Sequence, residues 1–300
     1  MNPLQKVIKY FAMAFAVALT IAIFSSIFGI ITGVTTGLSF REKNMDVVSY
    51  EKEFHDVKSL EVECDSYSVT IQAGDRFSVK TENVSEDYKA NLRNNGTLVV
   101  ESENKFHWGY QLFSFVTMDE SRGRVIITVP ESFLANKIEI DGGSGVLNLN
   151  NLHAKEMRLD LGSGRMYASN LVSDDVYIDG GSGDIQLENV DLSGVVIEGG
   201  SGSLTITEAR LFDLDLDAAS GATNIHGYFT GKCKIDGGSG NITLAIQDSI
   251  DNYNINAETG SGDVWVAGEK VYDNFRRNNI TANHSIKIDG GSGRVALEFQ

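Results

Sequence analysis

Carboxylates recur along this chain with a period that could organise metal chemistry. Asp141, Asp160, Asp179, Glu198, Asp217, Asp236, Glu258 and Asp289 each stand three positions before a serine. Those serines, Ser144, Ser163, Ser182, Ser201, Ser220, Ser239, Ser261 and Ser292, step by 19 five times and then by 22 and 31. Stacked acids repel, so something must offset them. One reading is a ladder of calcium ions held by carboxylate and carbonyl oxygens, with Asp141, Asp160, Asp179, Asp217, Asp236 and Asp289 as ligands. The other, preferred here, is that each Asp accepts hydrogen bonds from the backbone N–H groups of the Gly-Gly-Ser turn that follows it. The calcium-binding nonapeptide roll places its Asp inside the loop, after Gly-x-Gly-x, and that pattern is absent.

Other chemistry finds less support. Glycoside cleavage needs two acids in differently tuned surroundings, whereas these acids form a uniform column. The five histidines, His55, His107, His153, His226 and His284, show no metal spacing. A Ser-Gly turn repeated eight times, Gly-Ser-Gly in all but the Ala219-Ser220-Gly221 copy, is neither a nucleophile elbow nor a phosphate loop, since no Gly-x-Ser-x-Gly occurs and no Lys-Ser or Lys-Thr follows. No cofactor motif is present, and the expectation is a protein that is not an enzyme. Cys64 and Cys233 would lie about 20 to 30 Å apart along the repeat axis, too far for a disulfide, and Cys233 occupies an inward position.

The elements that set out the acidic column are strands. Six and four residues before each serine stand apolar pairs such as Ile138 and Ile140, Val176 and Ile178, or Ile286 and Ile288. Three and five residues after it stand pairs such as Leu147 and Leu149, Ile185 and Leu187, or Val295 and Leu297. Alternation with polar residues is the signature of a strand with one buried face. The unit reads as strand, glycine turn, strand, second turn. One unit cannot bury its own apolar face, but stacking at about 4.8 Å creates a continuous core. The expected fold is all-β: a parallel β-solenoid of about 19-residue coils, on the order of 40 Å long. Asn151, Asn170 and Asn189 share a column in which side-chain amides could bond from coil to coil. An antiparallel hairpin array would use the same glycines but does not explain the constant period.

A formal charge of −16 argues against nucleic acid and against unaided docking to anionic lipid. Basic proteins or cations suit it better, as does plain solubility. After Lys6 and Lys9 no charged residue occurs from Tyr10 to Phe40, a run of 31. That exceeds the roughly 20 needed to span a bilayer. The expected organisation is a short cytoplasmic segment (1–9), an uncleaved signal anchor (10–40), a linker (41–56), a small β cap with a degenerate first coil (57–136) and the solenoid (137–300). The protein is then a single-pass cell-membrane protein with its bulk extracytoplasmic. Gly29, Gly33 and Gly37 form a small-residue stripe through which two copies could pair.

Two irregular places could bind a partner. An aromatic cluster, Phe106, His107, Trp108, Tyr110, Phe113 and Phe115, interrupts the cap; packing and ligand binding are both open. An insertion at Val271 to Ala282 carries Tyr272, Arg276 and Arg277, and insertions in solenoids form loops, often on the binding face. The last coil, Val295 to Phe299, stands open, where a second molecule could pair.

The repeats "IDGGSGDIQLENV" (Ile178 to Val190), "IEGGSGSLTITEA" (Ile197 to Ala209) and "IDGGSGNITLAI" (Ile235 to Ile246), with the upstream "LEVECDSYSVTIQAGD" (Leu60 to Asp75), resemble the bacterial "putative adhesin" family. This is a domain of unknown function found in LiaG-like and YvlB-like envelope proteins. The resemblance runs from about Val57 to the C-terminus. It implies a β-solenoid exposed at the cell envelope and supplies no catalytic residues to carry over. The function expected is non-catalytic binding or scaffolding of an envelope protein or surface ligand, in adhesion or in an envelope-stress system. The alternatives are a carbohydrate-active enzyme on a β-helix and a calcium-dependent solenoid.

Overall fold

The computed structural model describes residues 47–103, 123–272 and 274–300. Among the described residues, seven strands precede the regular repeats: β1 (Val47–Phe54), β2 (Ser59–Glu63), β3 (Ser68–Gly74), β4 (Phe77–Ser85), β5 (Tyr88–Leu92), β6 (Thr97–Ser102) and β7 (Arg124–Pro130). The repeats themselves are β8 (Leu134–Asp141), β9 (Val146–Asp160), β10 (Arg165–Asp179), β11 (Asp184–Glu198), β12 (Leu204–Asp217) and β13 (Thr223–Asp236). The chain finishes with β14 (Ile242–Ile246), β15 (Tyr253–Glu258), β16 (Val264–Val266), β17 (Glu269–Val271), β18 (Asn274–Arg277), β19 (His284–Asp289) and β20 (Val295–Phe299).

From β8 to β13 each strand pairs in parallel with the next, 19 residues on, as Arg165 does with Asp184 and Ile178 with Ile197, except that Ala209–Phe212 meet residues 18 on in β13. This is the expected parallel solenoid, and the hairpin array is ruled out. Every inward residue of the paired columns, from Ile138 to Leu297, is buried. The degenerate coil takes its place beside them: Leu60 and Val62 pair with Ile138 and Ile140, and Val69 and Ile71 with Leu147 and Leu149.

The coil has three faces rather than two. Between the post-turn pair and the pre-turn pair lies a third inward pair: Leu152 and Ala154, Leu171 and Ser173, Val190 and Leu192, Ala209 and Leu211. At each bend two successive side chains face out, as at Asn150 and Asn151, so the in–out phase slips by one and the third pair escapes a period-two reading. Asn151, Asn170 and Asn189 hold that bend in the left-handed region, at φ 54°, 56° and 52°, a conformation asparagine tolerates well. Gly194, Asp213 and Gly231 do the same at the second bend. The Asn189 amide donates to Asn170 Oδ1 at 2.6 Å, the coil-to-coil bond expected there.

The chain order breaks at both ends. β14 pairs not with the next repeat but with β20, and β20 in turn pairs with β16. On the opposite side of the turn β19 lies between β13 and β15. The final repeat is thus inserted between its two predecessors. Its strand Val295–Phe299 is an interior strand, not an open edge, because the chain skips one level after β14 and fills it last. The N-terminal end mirrors this, with β2 held between β6 and β8 and β3 between β7 and β9.

Antiparallel strands close each end. β4 and β5 cover β7 and β6, while β17 and β18 cover β16 and β15. The insertion is therefore in part a capping strand, Asn274–Arg277, rather than a loop. It occupies a sheet edge that would otherwise template pairing with another chain. Two tyrosines plug the core ends: Tyr88 donates to the Glu63 carbonyl and Tyr253 to the Phe229 carbonyl, each at 2.7 Å.

Candidate functional site

The repeated turn is the most conspicuous chemical signal in the sequence, and its geometry is structural. Each turn donates to the one before it: Ser163 N–H to the Gly143 carbonyl at 2.8 Å, Ser182 to Gly162 at 2.7 Å, Ser201 to Gly181 at 2.9 Å. Stacking this close leaves no room for a side chain. A Cβ on Gly183 would lie 2.0 Å from the Gly164 carbonyl oxygen, and Gly181 has φ +51° besides. Glycine is required at both for these separate reasons.

The acidic column serves the same turns. Asp141, Asp160 and Asp179 each accept through Oδ1 from the N–H two residues on, at Gly143, Gly162 and Gly181, at 3.0 to 3.1 Å. This is the capping reading at those three positions. Burial raises the Asp160 carboxyl above its usual range, Asp179 and Asp141 add to the rise, and the Gly162 N–H opposes it. Asp236 pairs with Lys234, which also reaches Asp215. Among the described residues no cluster of three or more His, Cys, Asp or Glu is arranged to hold a metal ion.

The partner-binding candidates separate. Trp108, Tyr110, the rest of the aromatic cluster, the signal anchor and Gly29, Gly33 and Gly37 lie outside the described residues. Arg277 forms an ion pair with Asp251, and Arg276 Nε donates to Asn256 Oδ1 at 3.4 Å, so both contact the coil that β18 caps. Tyr272 remains 77% exposed, with the Lys270 ammonium 5.8 Å from its ring centre. The cysteines are free and buried. Six strand steps part them, from β2 through β8, β9, β10, β11 and β12 to β13.

Among the described residues, a notch on the outer side of the post-turn face is a feature that the repeat does not explain. β3 pairs with β9 only over Ser68–Ile71, then runs on beside β7, while β9 bends away at Asn150 and Asn151. The splay opens a shallow cavity of about 590 Å³. Thr70, Asn148, Tyr167 and Gln186 lie side by side in register across four strands. Gln72 and Asn150 stand at the bend, and the Asn150 amide donates to Ser169 Oγ at 3.0 Å. The lining carries one ionisable acid, Glu188. Sequence reasoning missed the notch because its residues lie in outward columns, and only the parting of β3 from β9 singles them out.

An all-β, mostly parallel repeat fold, capped at both ends and built on stacked glycine turns, places the protein in a class. The chain belongs to the Toastrack DUF4097 family, whose model matches residues 57–298. Among solved structures it is similar to "a putative cell adhesion protein" from Clostridium sporogenes, at 15% identity and a TM-score of 0.26, over 85% of this chain and 100% of that one. It is also similar to "a putative adhesin" from Bacteroides fragilis, at 10% identity and a TM-score of 0.47, over 84% and 97%. Among curated proteins no sequence matches the chain.

Proposed function

We propose that this protein is a single-pass membrane protein presenting an acidic Toastrack solenoid outside the bacterial cell, where it binds or scaffolds an envelope protein or surface ligand without catalysis. The observation that carries the binding reading is the notch. It gathers amide and hydroxyl side chains on a rigid parallel scaffold, yet holds only one carboxylate where hydrolysis of a glycosidic bond needs two. The capped ends support it too, since antiparallel strands cover the first and last coils and leave the lateral faces as the free surface of the repeats. The uncharged run from Tyr10 to Phe40 supports the anchor.

The placement is tested with the exposed turn residue Ser201 changed to cysteine in the full-length chain, read against two native thiols that are buried. In cells stripped of wall, a membrane-impermeant maleimide is expected to label Ser201→Cys without lysis. Labelling only after lysis would place the solenoid in the cytoplasm and end the reading.

A further inference from the structure

The geometry points to a neutral glycan chain as the ligand of the notch, an inference that rests on the reading of the protein as a binding module. Its side chains match a hydroxyl-rich polymer. Gln72, Asn148, Asn150 and Gln186 are primary amides, each able to donate and accept, and Thr70 adds a hydroxyl. A sugar hydroxyl is likewise both donor and acceptor, so these groups can satisfy it in either sense. Tyr167, 44% exposed, presents an apolar ring with a polar tip to the same space, the surface on which the C–H face of a sugar ring can lie.

Charge narrows the class further. On a chain of net charge −16, the lining includes a single acidic side chain, Glu188, and no basic one. An anionic polymer would meet no cation in the lining, and a cationic one would meet one acid. A peptide strand is poorly served: Asn148, Tyr167 and Gln186 lie on strands paired on both sides, and where β3 parts from β9 the edge left for strand addition is only Gln72–Gly74. Finally, Thr70, Asn148, Tyr167 and Gln186 recur at the strand spacing of about 4.8 Å and form a row. A row of repeated contacts suits a chain of repeated units better than a compact small molecule.

The test uses the full-length chain in lipid nanodiscs and two neutral probes, linear hexasaccharides of β-1,4-linked glucose and of β-1,4-linked N-acetylglucosamine. Saturation-transfer NMR detects binding and calorimetry measures it. At least one probe is expected to bind, with affinity falling about tenfold in Tyr167→Ala, the loss of a hot-spot tyrosine, and less in Gln186→Ala. Tyr167→Phe keeps the ring and is expected to keep most of the binding. Tyr228→Ala removes a similarly exposed tyrosine whose column neighbour is Arg210 and is expected to change nothing. Melting curves identify variants that have failed to fold. The inference is overturned if neither probe binds, or if binding survives both Tyr167→Ala and Gln186→Ala unchanged. Capture of an envelope protein by wild type and Tyr167→Ala alike, with no glycan bound, would overturn the glycan inference and leave the binding reading standing. A chain that captures neither would overturn both.

Discussion

Ile242 pairs in parallel with Val295, 53 positions further along the chain, and Val295 pairs on its other side with Val264. The last strand of the sequence is thus a middle strand of the sheet. Folding of the C-terminal end cannot be completed until the final residues are available, and the strand order there follows contacts rather than chain sequence.

Removing residues 295–300 should therefore act locally and hard. Val295 and Leu297 are fully buried between the two flanking coils, so their loss costs on the order of 3–6 kcal/mol at about 1.5–3 kcal/mol per buried aliphatic side chain. Because a solenoid is stabilised between nearest neighbours, amides of β15, β16 and β18 should lose hydrogen-exchange protection while β9 to β11 keep theirs. Uniform loss, or none, would refute the interleaved order.

The two roles of glycine can be separated. Gly183→Ala places a methyl 2.0 Å from a backbone oxygen and should destabilise by about 1–3 kcal/mol or more, as overpacking does. Gly268, at φ +81°, has nothing within 4 Å of a Cβ, so Gly268→Ala should cost only about 1–2 kcal/mol of left-handed strain. Chemical denaturation that ranks Gly268→Ala as the worse variant would remove the stacking explanation.

Asp160 gives a pH test with a defined sign. Its carboxyl is raised in the folded state, first by burial and then by Asp179 and Asp141, so the folded chain holds that proton more tightly than the unfolded one. Its contribution is fully present below the unfolded value and is lost as pH rises through the folded one. At neutral pH Asp160→Asn, which retains an oxygen for the Gly162 N–H, should be at least as stable as wild type, and this advantage should vanish in acid. Asp160→Ala loses the turn bond and should cost about 1 kcal/mol. Thermal melts from pH 3 to 8 decide it, and a melt in chelator should be unchanged; a drop of several degrees would revive the calcium ladder.

The thiols should be silent until the chain opens. Burial pushes Cys233 up to about 12 and Cys64 higher still, with neighbouring acids adding to both. The thiolate is the reactive form, so maleimide should modify neither cysteine at neutral pH without denaturant and both once the chain unfolds. Rapid labelling of Cys233 in the native protein would mean that the β13 region opens readily.

Much of this was legible in the residues. Constant spacing of the serines, with Ile or Leu at fixed offsets, implied stacked parallel coils, and Asp before Gly-Gly implied a capped turn. The third face was hidden at Asn151, Asn170 and Asn189, because a left-handed bend shifts the in–out phase and makes Leu152 and Ala154 look like part of a turn. The insertion resembled a loop because an edge strand such as Asn274–Arg277, partly exposed, lacks the alternation of a core strand. Thr70, Asn148, Tyr167 and Gln186 gave no signal, since outward polar residues on a strand are ordinary.

The sequence by itself determined the coil: its length, its inward columns, its glycine turns and its acidic caps, because each of these is enforced within one repeat or against any identical neighbour. Only the tertiary structure decided which coil lies beside which, where the chain doubles back, and where β3 parts from β9 to open the notch. The physical reason lies in the repetition. Every unit offers nearly the same inward face and the same turn carbonyls, so local pairing preferences cannot rank one neighbour above another, and the choice falls to the connections and caps at the two ends.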